Sequence, residues 1–212
     1  MKLQIALDYI DLYDALAVLA EVNSYADIVE VGTPLLLSRG AEAIHVIKTA
    51  YPRHIVFADA KIMDGGEIEA GMLCDRGADC VSVMGLANDE TIEGVLKSSH
   101  ARGARVLVDM MLVSGLKKRA SELIGMGADI LCAHTAYDAR NVKNSPLEDL
   151  IALRGSASGV ELAVAGGVNE WNIAEIAKSN PDIIVVGGTV TRSADKAKTA
   201  NRLRELMEGT QK

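Results

Sequence analysis

The chain has 212 residues, enough for one large domain or two small ones, with 49% hydrophobic and only 3% aromatic residues. Its net charge of −7 and the scarcity of aromatic side chains argue against nucleic-acid and anionic-membrane partners, whereas a local site for a small phosphorylated molecule stays open. No run of about 18 apolar residues occurs, the N-terminal segment lacks a signal-peptide pattern and the three cysteines form no C-x-x-C pair, so we expect a cytoplasmic protein with reduced thiols.

Short apolar runs alternate with amphipathic stretches along the whole chain. Eight runs are predicted to be β-strands, at 3–8, 26–31, 54–60, 79–84, 104–110, 129–134, 160–165 and 182–187. Apolar residues recur at helical spacing between them, most clearly in segments 11–23 and 197–207. The pattern therefore indicates repeated β-α units.

A short sequence motif recurs at every second predicted strand. Ala-Asp-Ile-Val-Glu-Val-Gly begins at residue 26, and variants of it begin at residues 77, 127 and 180. The glycine before the Ala-Asp pair in two of these copies is typical of a helix end, after which the next strand begins.

Eight β-α units without a linker predict a single compact (β/α)8 TIM barrel with eight parallel strands, formed by one catalytic domain over residues 1–212. The alternative is a doubly wound open sheet. That fold usually has a glycine-rich turn after its first strand, but here the strand ends in Asp8-Tyr9-Ile10.

The third strand carries charges into an apolar pattern. Phe57, Asp59 and Lys61 lie on one face of this strand because side chains alternate, and the opposite face is small and apolar. An isolated Asp-x-Lys would most simply be a structural ion pair. Asp64 follows the strand, before a Gly-Gly turn, so strand alternation does not predict its direction.

Other strands also end in polar residues or glycines, and the active sites of barrels lie at the carboxyl ends of the strands. In chain order these ends are Asp8, Glu30, Asp59 with Lys61, Gly85, Asp109, His134, Gly166-Gly167 and Gly187-Gly188. Five of the first six strands would direct an ionisable group to one end of the barrel. We therefore favour a functional site over isolated structural ion pairs.

The residue types indicate a division of roles. Glu30 and Asp59 offer hard oxygen ligands suited to Mg²⁺, with Mn²⁺ as the alternative. Lys61 is suited to neutralise developing negative charge, and His134 is the candidate general acid/base because it alone of four histidines ends a strand. The glycines that end the last two strands are typical of a phosphate site, although Gly-Gly pairs also suit tight turns.

Several segments resemble the 3-hexulose-6-phosphate synthases, a family of the orotidine-5′-monophosphate decarboxylase suprafamily of small dimeric barrels. These segments are MKLQIALD, VEVGTPLL, ADAKIMDGGEIEA, VDMM, AHT, VAGG and VVGG, and the resemblance runs from residue 1 to about residue 205. It implies an aldol addition of formaldehyde to D-ribulose 5-phosphate through a Mg²⁺-stabilised enediolate.

The resemblance also implies roles for individual residues. Glu30 and Asp59 would hold the metal, Lys61 and Asp64 would support the enediolate, and His134 would move the proton at C1. Asp64 would reach the partner's site across a homodimer interface.

The remaining implied roles concern substrate binding. Asp8 and Asp109 would orient the sugar hydroxyls and the surroundings of the metal. The phosphate would lie on backbone groups around Gly166, Gly167, Gly187 and Gly188, and Ala165 would also contribute to substrate binding.

A related family, the 3-keto-L-gulonate-6-phosphate decarboxylases, forms a similar enediolate by losing CO₂. It typically differs from this chain at four positions, all of which favour the synthase: Asp109, Tyr137, Ala165 and Gly188. Decarboxylase activity, alone or in addition, is the first alternative. A barrel that binds sugar phosphate without turnover is the second.

Segment 136–143 departs from the pattern of the synthases. It contains Arg140 and Lys143, which could contact phosphate or be solvated. We expect both side chains to be solvated.

Overall fold

The computed structural model describes residues 1–139, 146–156 and 158–209. These residues form a closed barrel of eight parallel strands in sequential order, which confirms the predicted (β/α)8 TIM barrel. The strands are β1 (Lys2–Leu7), β2 (Ile28–Val31), β3 (Ile55–Ile62), β4 (Cys80–Met84), β5 (Arg105–Asp109), β6 (Ile130–His134), β7 (Glu161–Ala165) and β8 (Ile183–Val186). All eight predicted strands are present, with ends shifted by one or two residues.

Helices surround the strands. They are α1 (Leu12–Val22), α2 (Thr33–Arg39), α3 (Glu42–Ala50), α4 (Gly66–Cys74), α5 (Asp89–His100), α6 (Leu116–Met126), α7 (Leu147–Arg154), α8 (Ile173–Lys178), α9 (Gly188–Thr191) and α10 (Lys196–Glu208), with a 3₁₀ turn at Tyr137–Ala139. The two amphipathic segments predicted at 11–23 and 197–207 are α1 and α10. Helix α1 begins after Asp11, whose carboxylate accepts the backbone N–H groups of Tyr13 and Asp14.

Strand alternation divides the apolar residues into two layers. Residues such as Leu3, Ile5 and Leu7 point outward and pack in the large core between strands and helices. The alternate residues fill the barrel interior, at Ala6, Ile28, Phe57, Cys80, Leu107, Ile130, Cys132, Ala163, Ala165, Ile183 and Val185. A polar residue that follows this inner set along a strand therefore faces the barrel axis.

The recurring Ala-Asp or Pro-Asp motif has a structural role at the amino-terminal end of the barrel. Each of its four aspartates accepts the backbone N–H of a residue in the preceding strand: Asp27 from Leu3, Asp79 from Val56, Asp129 from Val106 and Asp182 from Leu162, at 2.7–2.8 Å. Each carboxylate also meets a basic side chain: Arg204, Lys48, His100 and Arg154, respectively. The repeat thus joins successive strands in pairs.

The cysteines are free thiols, with Cys80 and Cys132 buried and Cys74 half-buried. Burial raises the pKa of all three. Across the described ranges, no helix combines the length and apolarity needed to cross a membrane.

Candidate active site

The carboxyl ends of the strands surround a cavity of about 920 Å³. Every strand-end residue assigned to the site lines it, namely Asp8, Glu30, Asp59, Lys61, Asp109, His134, Ala165, Gly166, Gly167, Gly187 and Gly188. Asp64, which follows β3, does not. The barrel therefore brings together side chains that are up to 180 residues apart in sequence.

Glu30 ends the inner face of β2 and is 6% exposed. Its Oε2 atom accepts a hydrogen bond of 2.6 Å from Nε2 of Gln4, which lies on the neighbouring strand β1. Burial raises the pKa of the Glu30 carboxyl well above its ordinary value, and the negative charges of Asp59 and Asp8 raise it further. This carboxylate is therefore in a position that favours a nearby positive charge.

Asp59 is held by hydrogen bonds on both carboxylate oxygens. The Thr33 hydroxyl lies 2.9 Å from Oδ2, the Ser82 hydroxyl lies 3.0 Å from Oδ1, and the Lys61 ammonium also contacts Oδ2. These contacts fix the orientation of the carboxylate, as a binding or catalytic group requires.

Lys61 is three-quarters buried on its side chain and lies among carboxylates. Its Nζ contacts Asp59 and lies 3.9 Å from Oδ2 of Asp109. Burial alone would lower the pKa of Lys61, but the charges of Asp59, Asp109 and Glu30 outweigh burial, and the net pKa is raised. Lys61 therefore stays an ammonium ion at neutral pH.

His134 ends β6 and pairs with Asp109 at the end of β5. Its Nδ1 lies 2.7 Å from Oδ2 of Asp109, while Oδ1 of Asp109 accepts the backbone N–H of Met111 at 3.0 Å. A carboxylate can only accept, so Nδ1 carries the hydrogen and Nε2 is the ring atom available to exchange a proton. Sequence reasoning proposed both residues but did not predict their pairing.

The Gly-Gly pairs that follow β7 and β8 need glycine for different reasons. Gly166 has φ +92°, and a Cβ there would lie 2.0 Å from the backbone oxygen of Thr135. A Cβ at Gly188 would lie 2.3 Å from Nη2 of Arg192. Gly166 therefore allows a tight turn against β6, whereas Gly188 leaves room for a guanidinium group.

Arg192 is a cavity residue that the sequence interpretation missed. It lines the same cavity, and Lys61 is the other Lys or Arg side chain among the described lining residues. The available signal was its spacing, because Arg192 follows Gly188 by four residues, about one helical turn. In this cavity Lys61 thus lies among carboxylates, whereas Arg192 lies beside the glycine that begins α9.

Asp64 lies outside this cavity. It is exposed, and its Oδ1 accepts the backbone N–H of Gly65 at 2.7 Å. Exposed apolar side chains adjoin it in sequence, at Met63, Ile68 and Met72. Arg140 and Lys143, considered above as phosphate contacts, lie outside the described residues.

The other histidines have different surroundings. His45 is exposed on α3, Nε2 of His54 lies 2.9 Å from the backbone oxygen of Asn23, and His100 pairs with Asp129 at the opposite end of the barrel. His134 is therefore the one histidine among the cavity-lining residues described.

The donor set of the cavity fits a divalent cation that binds only partly to protein. Within the described ranges, no group of three or more His, Cys, Asp or Glu side chains is arranged to hold a metal ion alone. Glu30 and Asp59 nevertheless offer two carboxylates, and Mg²⁺ usually takes one or two carboxylates and keeps water or substrate oxygens at its other positions. Burial is the main cause of the raised pKa of Glu30, and the negative charges of Asp59 and Asp8, which such a cation would balance, add to it.

Comparisons with known proteins agree with this geometry. Residues 1–203 match the family model described as orotidine 5′-phosphate decarboxylase / HUMPS family. A 3-hexulose-6-phosphate synthase from Bacillus subtilis is 36% identical over 207 residues, covering 98% of this chain and 99% of the relative.

Solved structures give the same picture. The 3-hexulose-6-phosphate synthase from Salmonella typhimurium superposes with a TM-score of 0.96 at 38% identity, covering 99% of this chain and 100% of that one. The 3-keto-L-gulonate-6-phosphate decarboxylase from Vibrio cholerae gives 0.87 at 27% identity, covering 99% and 98%. The synthases thus share more sequence with this chain than that decarboxylase does.

Proposed function

The chain belongs to the orotidine 5′-phosphate decarboxylase / HUMPS family, and from this membership we propose that it condenses formaldehyde with D-ribulose 5-phosphate to give D-arabino-3-hexulose 6-phosphate. It is an enzyme of the aldehyde-lyase class, like its relatives of nearly equal length that are named 3-hexulose-6-phosphate synthase. The observation that carries the proposal is the His134–Asp109 pair beside Lys61, because this arrangement combines a base with a permanent positive charge.

The reaction begins with a proton transfer. Nε2 of His134 takes a proton from C1 of ribulose 5-phosphate, while Asp109 holds the ring through Nδ1 and stabilises the resulting imidazolium. The Lys61 ammonium lies near the enediolate oxygens and offsets their charge.

The carbon–carbon bond then forms. C1 of the enediolate attacks the carbonyl carbon of formaldehyde, and the formaldehyde oxygen takes up the proton from His134, so the net reaction consumes no proton. Asp8 also lines the cavity, and in this proposal it orients sugar hydroxyls.

Glu30 and Asp59 would hold a divalent cation, Mg²⁺ or Mn²⁺. When bound, this ion supplies the additional positive charge that an enediolate requires near neutral pH. Gln4, Thr33 and Ser82 orient the two carboxylates toward that position through the hydrogen bonds described above.

We propose that the phosphate group binds beside the glycines that follow β7 and β8. Gly167, Gly187 and Gly188 offer backbone groups there, and Arg192 adds a positive charge. Lys61 already contacts Asp59, so Arg192 is the lining cation better placed to balance a phosphate dianion.

One assay tests the activity and the metal together. Ribulose 5-phosphate should be consumed only when formaldehyde is present, excess chelator should abolish consumption, and Mg²⁺ should restore it. 3-Keto-L-gulonate 6-phosphate serves as the comparison substrate. Release of CO₂ from that substrate without formaldehyde-dependent consumption would select the decarboxylase, and no reaction with either substrate would select a non-catalytic binder.

We further propose a homodimer with shared active sites. Exposed apolar side chains lie on α4 and on the segments that follow the neighbouring strands β3, β4 and β5: Met63, Ile68, Met72, Leu86 and Leu112. Several exposed apolar side chains on neighbouring elements are typical of an interface. Asp64 lies within this region rather than in the cavity of its own subunit.

Mixing two inactive variants tests the sharing. Lys61→Ala and Asp64→Ala are unfolded and refolded together, so that random pairing makes about half of the dimers mixed. If Asp64 acts across the interface, each mixed dimer has one intact site, and about a quarter of the wild-type activity returns. Mixed dimers without activity would show that Asp64 does not act across the interface.

A further inference from the structure

Strand β3 contains an irregularity that coincides with its charged motif. Ala58 pairs with Val81 of β4, but the next pair is Ile62 with Val83. Three residues of β3, numbers 59–61, therefore stand opposite the single residue Ser82. Bulges of this kind redirect side chains and are common beside active sites.

Lys61 has an unusual backbone conformation within this bulge. Its φ is +47°, in the left-handed region that residues other than glycine rarely adopt. Such a conformation persists only where surrounding contacts hold it. The contact that the structure provides is a hydrogen bond of 2.8 Å from the Lys61 backbone N–H to the Ser82 hydroxyl oxygen.

The same hydroxyl also fixes Asp59. A serine hydroxyl has one hydrogen, and Ser82 donates it to Oδ1 of Asp59 at 3.0 Å while its oxygen accepts from Lys61. One buried atom therefore orients the backbone of Lys61 and the carboxylate of Asp59 at once. Ser82 is 0% exposed and does not line the cavity, so it cannot itself contact a substrate.

We propose that Ser82 is a positioning residue, whose hydroxyl holds the β3 bulge in the conformation that keeps the Lys61 ammonium against Asp59 and inside the cavity. The inference rests on the proposed function for its catalytic consequence, but its structural part does not. Without the hydroxyl, the Lys61 N–H loses its partner and Asp59 loses one of its fixed contacts. The contacts that remain for Lys61, from its ammonium group to Asp59 and Asp109, act on the side chain and not on the backbone N–H.

The test compares Ser82→Ala with a matched control, Ser98→Ala. Ser98 is also buried, donates to the backbone oxygen of Glu67 at 2.8 Å and accepts from Arg102 at 3.0 Å, but it lies on α5 away from the cavity. Both variants should lose thermal stability. Only Ser82→Ala should lower kcat, by about 10- to 100-fold, as expected when a catalytic group is displaced by about 1 Å.

Two further measurements separate positioning from general damage. KM for ribulose 5-phosphate should change by less than about twofold in Ser82→Ala, because the phosphate side of the cavity is unaltered. Ser82→Thr restores a hydroxyl and should recover most of kcat. A crystal structure of Ser82→Ala should show Lys61 out of the left-handed region, with its ammonium displaced from Asp59.

Different results would overturn the positioning role of Ser82 and the proposed function. A Ser82→Ala structure with Lys61 unmoved overturns the proposal whatever the activity, as does a moved Lys61 with unchanged kcat in an active protein. If the wild-type protein shows no formaldehyde-dependent turnover, the proposed function fails. The crystal structure then decides alone whether Ser82 holds the bulge.

Discussion

The two ends of the barrel use carboxylate side chains in opposite ways. At the amino-terminal end, each recurring aspartate accepts a backbone N–H and meets its own basic side chain. At the carboxyl-terminal end, five carboxylates line one cavity together with one lysine and one arginine among the described residues: Asp8, Glu30, Asp59, Asp109 and Asp138, with Lys61 and Arg192. Balanced carboxylates join strands, whereas crowded ones leave negative charge available for a cation and a reaction.

Each end has one histidine–aspartate pair, which makes the sharpest comparison. His134→Asn should lower kcat by about two to four orders of magnitude, because the ring that moves the proton is lost. His100→Asn, whose pair with Asp129 has a similar distance of 2.8 Å, should leave kcat unchanged. Steady-state kinetics and solvent exchange of the C1 proton measure both variants, and undiminished exchange in His134→Asn would assign the proton transfer to another group.

Each end also has an arginine whose removal should have a distinct effect. Arg192→Ala should raise KM for ribulose 5-phosphate by about 10- to 100-fold, the range for a hydrogen bond to a charged group. Binding of unphosphorylated ribulose should not change. The control is Arg204→Ala, which removes the partner of Asp27 and should affect only stability. Equal losses for ribulose and its phosphate would contradict a phosphate role for Arg192.

Removing one of the recurring aspartates at the amino-terminal end of the barrel should lower stability without changing activity. Asp27→Ala leaves the Leu3 N–H and Arg204 without this partner, so unfolding should require about 1–3 kcal/mol less free energy. Denaturant unfolding measures this loss, with the solvent-facing Asp14→Ala on α1 as the control. A fall in kcat of the folded Asp27→Ala protein would show that the two ends are not independent.

The smallest expected effect is a gain in thermal stability, whereas the preceding variants lose activity or stability. The folded-state pKa of Glu30 is raised, so the folded protein loses stability as pH rises above the ordinary carboxyl value of 4.5. In chelator at about pH 7, Glu30→Gln should therefore melt roughly 2–4 °C higher than the wild type while still accepting from Gln4. The difference in melting temperature should vanish near pH 4, where the Glu30 carboxyl is largely protonated in the folded and in the unfolded protein. A lower melting temperature at neutral pH would mean that Glu30 stabilises the metal-free fold.

Much of this site follows from strand alternation. Asp59 and His134 could be placed in the cavity because each follows apolar residues on the inner face of its strand, and the two-residue period of side chains carries that information. Alternation says nothing about Asp64, which follows the bulge, or about Arg192, which follows α9 and lines the cavity. These positions depend on backbone geometry beyond the strands.

The contacts that hold the site were harder to foresee. In the sequence, Ser82 is an ordinary inward-facing residue of β4. Its proposed role depends on a register shift between β3 and β4 that no residue pattern predicts. The recurring aspartates were visible as a repeat, but their bonds to the preceding strands depend on the closed barrel. Sequence thus indicates which residues carry chemistry more readily than which residues orient them.

The pairing of β1 with β8 has a consequence for biosynthesis. Lys2 pairs with Ile183, so the backbone groups on one edge of the first strand find their partners only after the last strand has been made. At a synthesis rate of about 5–20 residues per second, that edge stays open for roughly 10–40 s. Throughout that interval the nascent chain offers an unpaired strand edge to other chains. A ribosome paused before β8 would therefore leave an aggregation-prone intermediate, although almost every residue of the proposed active site had already been translated.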